Sequence, residues 1–113
     1  MSDCIFCKLA NGEIPTEMVY EDELMAAFRD MSPQAPVHVL IVPKVHVASL
    51  DELAEEHAEL MGHMMLKVKE IALSEGLEKG YRLVINTGED GGQTVGHLHM
   101  HLLGKRFMQW PPG

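Results

Sequence analysis

The chain has 113 residues and a mass of 12.6 kDa, which suits one domain over residues 1–113 and leaves no room for a second core. Hydrophobic residues make up 46% and charged residues 23%, a balance that excludes wholesale disorder and fibrous structure. The 17 acidic against 9 basic residues give a net charge of −8, which argues against a nucleic-acid partner, although a few local donors can still hold one phosphate. No apolar run approaches the roughly 20 residues that cross a bilayer, and the opening MSDCIFCKLANGE lacks the basic-then-apolar layout of a secretory signal. The expectation is a soluble cytoplasmic protein with no membrane partner.

Cys4 to Ala10 reads as a short helix ended by Asn11-Gly12, with Pro15 as a breaker. Met18 to Tyr20 and Leu24 to Arg29 read as strands around the polar turn Glu21-Asp22-Glu23. After the turn-rich Ser32-Pro33-Gln34-Ala35-Pro36, the β-branched run Val37 to Val42 predicts a buried central strand closed by Pro43 and carrying His38. Ser49 and Glu52 have capping-box spacing, and Ala58, Met61, Met65, Val68 and Ala72 recur at helical intervals. Together they predict one long amphipathic helix running to about Glu75. Leu60, Met64 and Ile71 widen its apolar face and point to a partner subunit, while His57 and His63 read as surface residues.

Tyr81 to Asn86 predicts a further strand, Gly88 to Gly92 a glycine-rich loop, and Gly96 to Leu103 the last strand. Short connections imply antiparallel neighbours. The fold class is therefore α+β: a roughly five-stranded antiparallel meander, one long helix and a short N-terminal helix.

The chemistry concentrates in His97-Leu98-His99-Met100-His101-Leu102-Leu103. On a strand the side-chain period is two, so the three imidazoles project from one face and Leu98, Met100 and Leu102 from the other. Imidazole suits metal ligation through a neutral nitrogen or nucleophilic attack on phosphorus. Just upstream, Gly88 to Gly96 can turn backbone N–H groups toward an anion, with the Thr94 hydroxyl as a further donor. Asp30 can accept from a diol or simply cap the turn before Ser32-Pro33.

These residues resemble a known family. The row His97-x-His99-x-His101 followed by two apolar residues is the signature of histidine triad proteins. Ile5-Phe6, Phe28-Arg29-Asp30, Ser32-Pro33-Gln34-Ala35-Pro36, Asn86, Gly91-Gly92-Gln93 and Trp110-Pro111-Pro112-Gly113 resemble its Hint branch of purine nucleoside phosphoramidate hydrolases. The resemblance implies that His99 is the nucleophile and forms a nucleotidyl-histidine, that His101 donates to phosphate oxygens, and that His38 is a fourth active-site histidine beside His97. It implies phosphate contacts at Asn86, Gly92, Thr94 and Val95, a further substrate contact at Gln93, a ribose contact at Asp30, and a purine bracketed by Phe6, Phe28 and Met31. Histidine at 101, where related uridylyltransferases carry glutamine, favours hydrolysis over transfer. Thr94 stands where the branch commonly has serine and keeps the hydroxyl. The branch also implies a homodimer, with Trp110 near an active site.

Cys4 and Cys7 leave three readings: a redox pair, ordinary buried thiols, or half of a tetrahedral zinc site. The resemblance supplies the other half, His46 and His97, as in uridylyltransferases and some bacterial histidine triad proteins. Such a zinc is structural, and the chemistry itself requires no cofactor. Two other functions stay open on sequence: a hydrolase in which His97, His99 and His101 bind a catalytic zinc, and a nucleotide-binding interaction protein with vestigial turnover.

Overall fold

Residues 4–113 are described by the computed structural model; Met1 to Asp3, the start of the stretch read against a secretory signal, lie outside the described residues. Helix α1 (Ile5–Ala10) begins at Cys4, whose sulfur caps the Cys7 amide at 3.2 Å, and ends at Asn11 before Gly12 turns the chain at a φ of 81°. The strands follow as β1 (Met18–Glu21), β2 (Met25–Arg29) and β3 (Val37–Pro43), then helix α2 (Ala58–Ser74), β4 (Tyr81–Val84) and β5 (Met100–Gly104). All pairings are antiparallel, in the order β1-β2-β3-β5-β4. This is an α+β open sheet, as expected, but not a meander: β5 inserts between β3 and β4, so the last strand in sequence is an inner strand.

Every residue of β3 is buried, which is what its unbroken β-branched run requires of a strand covered on both faces. One face carries Val37, Val39, Ile41, Met100 and Leu102 against Leu60, Met64, Val68, Ile71 and Ala72 of α2. The other carries Ala26, Phe28, Leu40 and Val42 under Phe6 and Ala10 of α1. The sheet thus separates a helix-covered core from a thinner one that borders the histidines.

The helix departs from expectation in start and in orientation. Ser49 caps only a single 3₁₀ turn (Leu50–Glu52), accepting from the Asp51 amide; Leu53 and Ala54 are extended, and a second 3₁₀ turn (Glu55–His57) precedes α2. His57 closes that turn by accepting the Ala54 amide at 2.9 Å. The buried stripe is Leu60, Met64, Val68, Ile71 and Ala72. Residues assigned to a partner therefore pack on the chain's own sheet, and Met65, Leu66 and Leu73 are the apolar side chains left exposed.

His63 is no free surface group either. Its Nε2 lies 2.6 Å from Asp22 Oδ2, an oxygen that also accepts from the Tyr20 hydroxyl at 2.8 Å, while Asp22 Oδ1 accepts from the Leu24 and Met25 amides. One carboxylate thus shapes the β1–β2 turn and ties it to α2. At the other end of the helix, Arg29 grips Glu75 with two bonds of 2.7 and 3.0 Å.

Burial opposes the charge on Asp22, but bonds from His63, Tyr20 and the two amides outweigh it and hold the carboxyl well below the usual carboxylate range. Asp22→Ala should therefore lower stability by about 1–3 kcal/mol near neutral pH. A depressed native pKa contributes stability above the unfolded value of about 3.9 and loses it as pH falls toward the native pKa. The difference between wild-type and variant unfolding midpoints should shrink steadily below about pH 4; a difference independent of pH would contradict this account of the turn.

Candidate active site

Strand β5 starts only at Met100, so His97 and His99 lie just before it, short of the predicted start at Gly96. There the Leu98 amide leaves the ladder and donates to Val47 O at 2.6 Å. The alternation nevertheless holds. Leu98, Met100 and Leu102 are buried apart from the imidazoles, and Phe6 stands edge-on to both His97 and His99, with ring centroids 6.2 and 4.9 Å away.

The main chain meets a ring nitrogen of three of the four histidines. His97 Nε2 donates to Pro43 O at 2.9 Å, leaving the Nδ1 lone pair free. His99 Nδ1 donates to His97 O at 2.7 Å, so in the neutral ring the lone pair is on Nε2. Residue 34 supplies the third contact, its amide donating to His38 Nδ1 at 3.0 Å. His38 Nε2 lies 2.9 Å from His101 Nδ1 and 3.4 Å from Asp30 Oδ2. Register explains the meeting: Leu40 pairs with His101 and His38 with Leu103, so His38 and His101 are diagonal neighbours on one face. Burial lowers the pKa of both rings; for His101 it acts with the neighbouring His99 and His38 to reach about 4, against the opposing pull of Asp30. At neutral pH these two rings are uncharged.

The glycine-rich loop is folded differently from a simple ring of inward amides. Gly92 N–H donates to Glu89 O and Gln93 N–H to Gly88 O, so Gly92 contributes a left-handed turn (φ 78°) and not an amide donor. Gln93 is a brace: its oxygen accepts the Gly88 amide and its nitrogen donates to Ala48 O and Val95 O. Gly91 is required sterically, since a Cβ there would collide with the Thr87 carbonyl oxygen. The amides of Thr94 and Val95 and the Asn86 carboxamide have no acceptor or donor partner among the described residues. Val84 pairs with His101, and β4 ends there, so Asn86, within the predicted strand, lies in the loop two residues beyond the last paired position.

A cavity of about 200 Å³ opens beside the row, lined by Phe6, Phe28, Asp30, Met31, Thr16 and Leu40 among others. All four residues assigned to the purine and ribose line it. The Phe6 and Phe28 rings meet edge to face at 5.9 Å, and Met31 is almost fully exposed at its rim. Thr16, the Gln34 amide and the Pro43 carbonyl escaped the sequence reading. The last two act through the backbone and leave no side-chain signal beyond the turn before β3 and the proline that closes it.

Cys4, Cys7, His46 and His97 converge although they come from α1, the segment after β3 and the approach to β5. Their ligand atoms all lie within 4.8 Å of one another. His97 Nδ1 is 3.2 Å from Cys4 Sγ, 3.4 Å from Cys7 Sγ and 3.2 Å from His46 Nδ1, and Cys7 Sγ is 3.4 Å from His46 Nδ1. Bonds of about 2.3 Å to sulfur and about 2.0 Å to nitrogen give a zinc tetrahedron edges of roughly 3.3–3.8 Å, so the donor set fits that ion. Burial lowers the His97 pKa, assisted by His46 and His99 and opposed by Pro43 O, and keeps the ring neutral as a ligand must be. Burial, with Cys4 beside it, pushes the Cys7 thiol up to about 11, so its thiolate forms only with a cation at hand.

The three triad rings do not chelate together: His97 faces the cysteines, His99 bonds its own chain and His101 faces His38. This speaks against a catalytic zinc held by the row. Trp110 does not reach the cavity of its own chain; it is exposed, with the Arg82 guanidinium 5.9 Å from its ring and Arg82 also donating to Gln109 O at 3.1 Å.

Comparison with known proteins gives a consistent result. The chain matches the HIT domain over residues 11–108. It is 52% identical over 114 residues to a 14 kDa zinc-binding protein of Zea mays, covering 99% of this chain and 89% of that one. A HIT family hydrolase from Legionella pneumophila superposes with a TM-score of 0.95 at 51% identity, over 98% of this chain and 100% of the other. A histidine triad nucleotide-binding protein from Candida albicans superposes with a TM-score of 0.84 at 32% identity, over 96% and 83% of the two chains.

Proposed function

Because the chain belongs to the HIT family, we propose that it is a nucleotide hydrolase of the Hint branch, cleaving purine nucleoside 5′-phosphoramidates through a nucleotidyl-histidine. The observation that carries this is the His99 geometry: Nδ1–H is spent on His97 O, which in the neutral ring leaves the Nε2 lone pair for attack, and Phe6, edge-on to His99, also lines the cavity with Phe28 and Asp30. In the first step the Nε2 lone pair forms a bond to phosphorus while the P–N bond breaks, and the amine departs with a proton taken from solvent. Water then attacks phosphorus as the Nε2–P bond breaks, gives one proton back to solvent, and the nucleoside monophosphate and neutral His99 are released. The Thr94 and Val95 amides, Asn86 and the His101 ring supply donors for the phosphoryl oxygens in both steps. Support comes also from the hydrolase and nucleotide-binding descriptions of the Legionella and Candida proteins.

His99→Ala should lower turnover of an adenosine 5′-phosphoramidate by at least about 10³-fold while leaving the unfolding midpoint and nucleotide affinity nearly unchanged. Mass spectrometry of wild-type protein quenched during turnover should show a nucleotidyl adduct on His99. Hydrolysis of a chiral phosphorothioate should proceed with net retention, because two in-line displacements each invert phosphorus; net inversion would overturn the covalent route.

The same reading assigns Cys4, Cys7, His46 and His97 to a structural zinc, which when bound supplies a cross-link and no step of the reaction. The name of the Zea mays relative supports it, and a reduced thiol pair kept for a metal suits the cytoplasm. About one zinc per chain should appear in elemental analysis of purified protein. Replacing both cysteines by alanine should remove the zinc and lower the melting temperature more than it lowers activity. Metal-free native protein with two freely reactive thiols would refute the assignment.

The reading also includes a homodimer, supported by the exposed Met65, Leu66 and Leu73 on α2 and by the open edge of β4. Light scattering should give twice the chain mass. Deleting Gln109 to Gly113 should change the relative kcat/KM among amine leaving groups; unchanged ratios would remove Trp110 from the partner's site.

A further inference from the structure

One proton in this site has two acceptors. The Gln34 amide donates to His38 Nδ1 at 3.0 Å, so that nitrogen carries no proton and the neutral ring must keep its proton on Nε2. From there it faces His101 Nδ1 at 2.9 Å and Asp30 Oδ2 at 3.4 Å. The three side chains have the donor set of a metal site, with ligand atoms within 4.8 Å of one another. A metal would need the His38 Nε2 lone pair, however, and the Gln34 amide opposes the tautomer that frees it. The cluster is built to place a proton.

Where that proton points matters at the far side of His101. When His38 donates to His101 Nδ1, the proton of His101 is confined to Nε2 and the ring is a fixed donor. When Asp30 draws the His38 proton toward itself, this constraint weakens. Asp30 Oδ1 is already engaged by the Ser32 amide at 2.7 Å, so Oδ2 is its less satisfied oxygen, and the His38 side chain is only 4% exposed. No bulk water relieves the competition at His38. The Asp30 amide also donates to His38 O at 3.0 Å, which anchors the two residues to each other through the backbone.

We propose that Asp30 is a positioning residue as well as a ribose ligand: a diol donating to its carboxylate removes it as a competitor for the His38 proton, and His101 is thereby locked as an Nε2–H donor to the phosphoryl group. Sugar recognition then feeds into the chemical step. The inference rests on the nucleotide reading above and adds to it that the sugar hydroxyls act on kcat, which binding alone would not produce.

The test compares adenosine and 2′,3′-dideoxyadenosine 5′-phosphoramidates with the same amine. In wild type, loss of both hydroxyls should lower kcat roughly tenfold in addition to any rise in KM. In Asp30→Asn, which removes the charge and keeps the shape, the two substrates should share one kcat to within about twofold. A wild-type effect confined to KM would overturn the proposal. An independent readout needs no turnover: ¹⁵N shifts of the His101 ring nitrogens in wild type with adenosine 5′-monophosphate or its 2′,3′-dideoxy analogue at saturation. The ribonucleotide should drive His101 further toward the Nε2–H tautomer than the dideoxynucleotide does, and identical shifts would overturn the coupling. If no phosphoramidate is cleaved while the ribonucleotide shift is present, the reaction assigned above fails and the coupling stands.

Discussion

An imidazole has one proton to divide between two nitrogens, and the direction of its chemistry follows from where that proton sits. Here the main chain makes the choice three times. Pro43 O takes the His97 proton on Nε2, His97 O takes the His99 proton on Nδ1, and the Gln34 amide forces the His38 proton to Nε2. The results differ for each ring: a lone pair turned to the cysteines, an Nδ1–H turned to the main chain, and a proton turned to His101. Side chains of one type thereby acquire different tasks without any change in residue identity.

This depends on the sheet holding backbone groups to within tenths of an ångström, and β3 is the element that does so. It is buried throughout, pairs with both β2 and β5, and ends at the carbonyl that orients His97. Insertion of β5 beside it, and not at the edge, brings His101 next to His38. A meander would have left the histidine row on an edge strand, open to solvent on one side and without these partners. The order of the strands is therefore a requirement of the site as much as of the core.

Sequence exposed the parts of this arrangement that rest on local pattern. The β-branched run of β3, the short helix before Asn11-Gly12 and the alternation of His97, His99 and His101 each have a period or a breaker that side chains reveal. What it hid was non-local or carried by the backbone. The capping-box spacing at Ser49 is satisfied by a 3₁₀ turn, because Leu53 and Ala54 are extended and α2 begins only at Ala58. The stripe of α2 was misplaced because Leu60, Met64 and Ile71 satisfy the helical period as well as Met61 and Met65 do, and only the sheet decides between the two faces. His63 looked solvent-bound because its partner Asp22 is 41 positions away. Cys4 and Cys7 announced half of a metal site by spacing. The other half came from family resemblance, since nothing near His46 or His97 in the chain signals the cysteines.

The donors assigned to the phosphoryl group in the proposed function share one property: none carries a full positive charge. Thr94 and Val95 offer amides, Asn86 a carboxamide and His101 a neutral ring. Arg29 lines the cavity but is bound to Glu75 and Glu17, while Lys79, Lys105 and Arg106 line a separate cleft by the end of α2. In a chain with a net charge of −8, the long-range field opposes a phosphorylated ligand, and local dipoles must outweigh it at short range. Dipoles fixed by a folded loop do this without reorganising as charge moves over the phosphoryl oxygens. A lysine at the same place would hold the ground-state anion more tightly and raise affinity for the product nucleotide with it. On the proposed function, neutral donors would leave that product easier to release, so that preorganised amides could bind a phosphoryl group in an acidic protein without trapping the product.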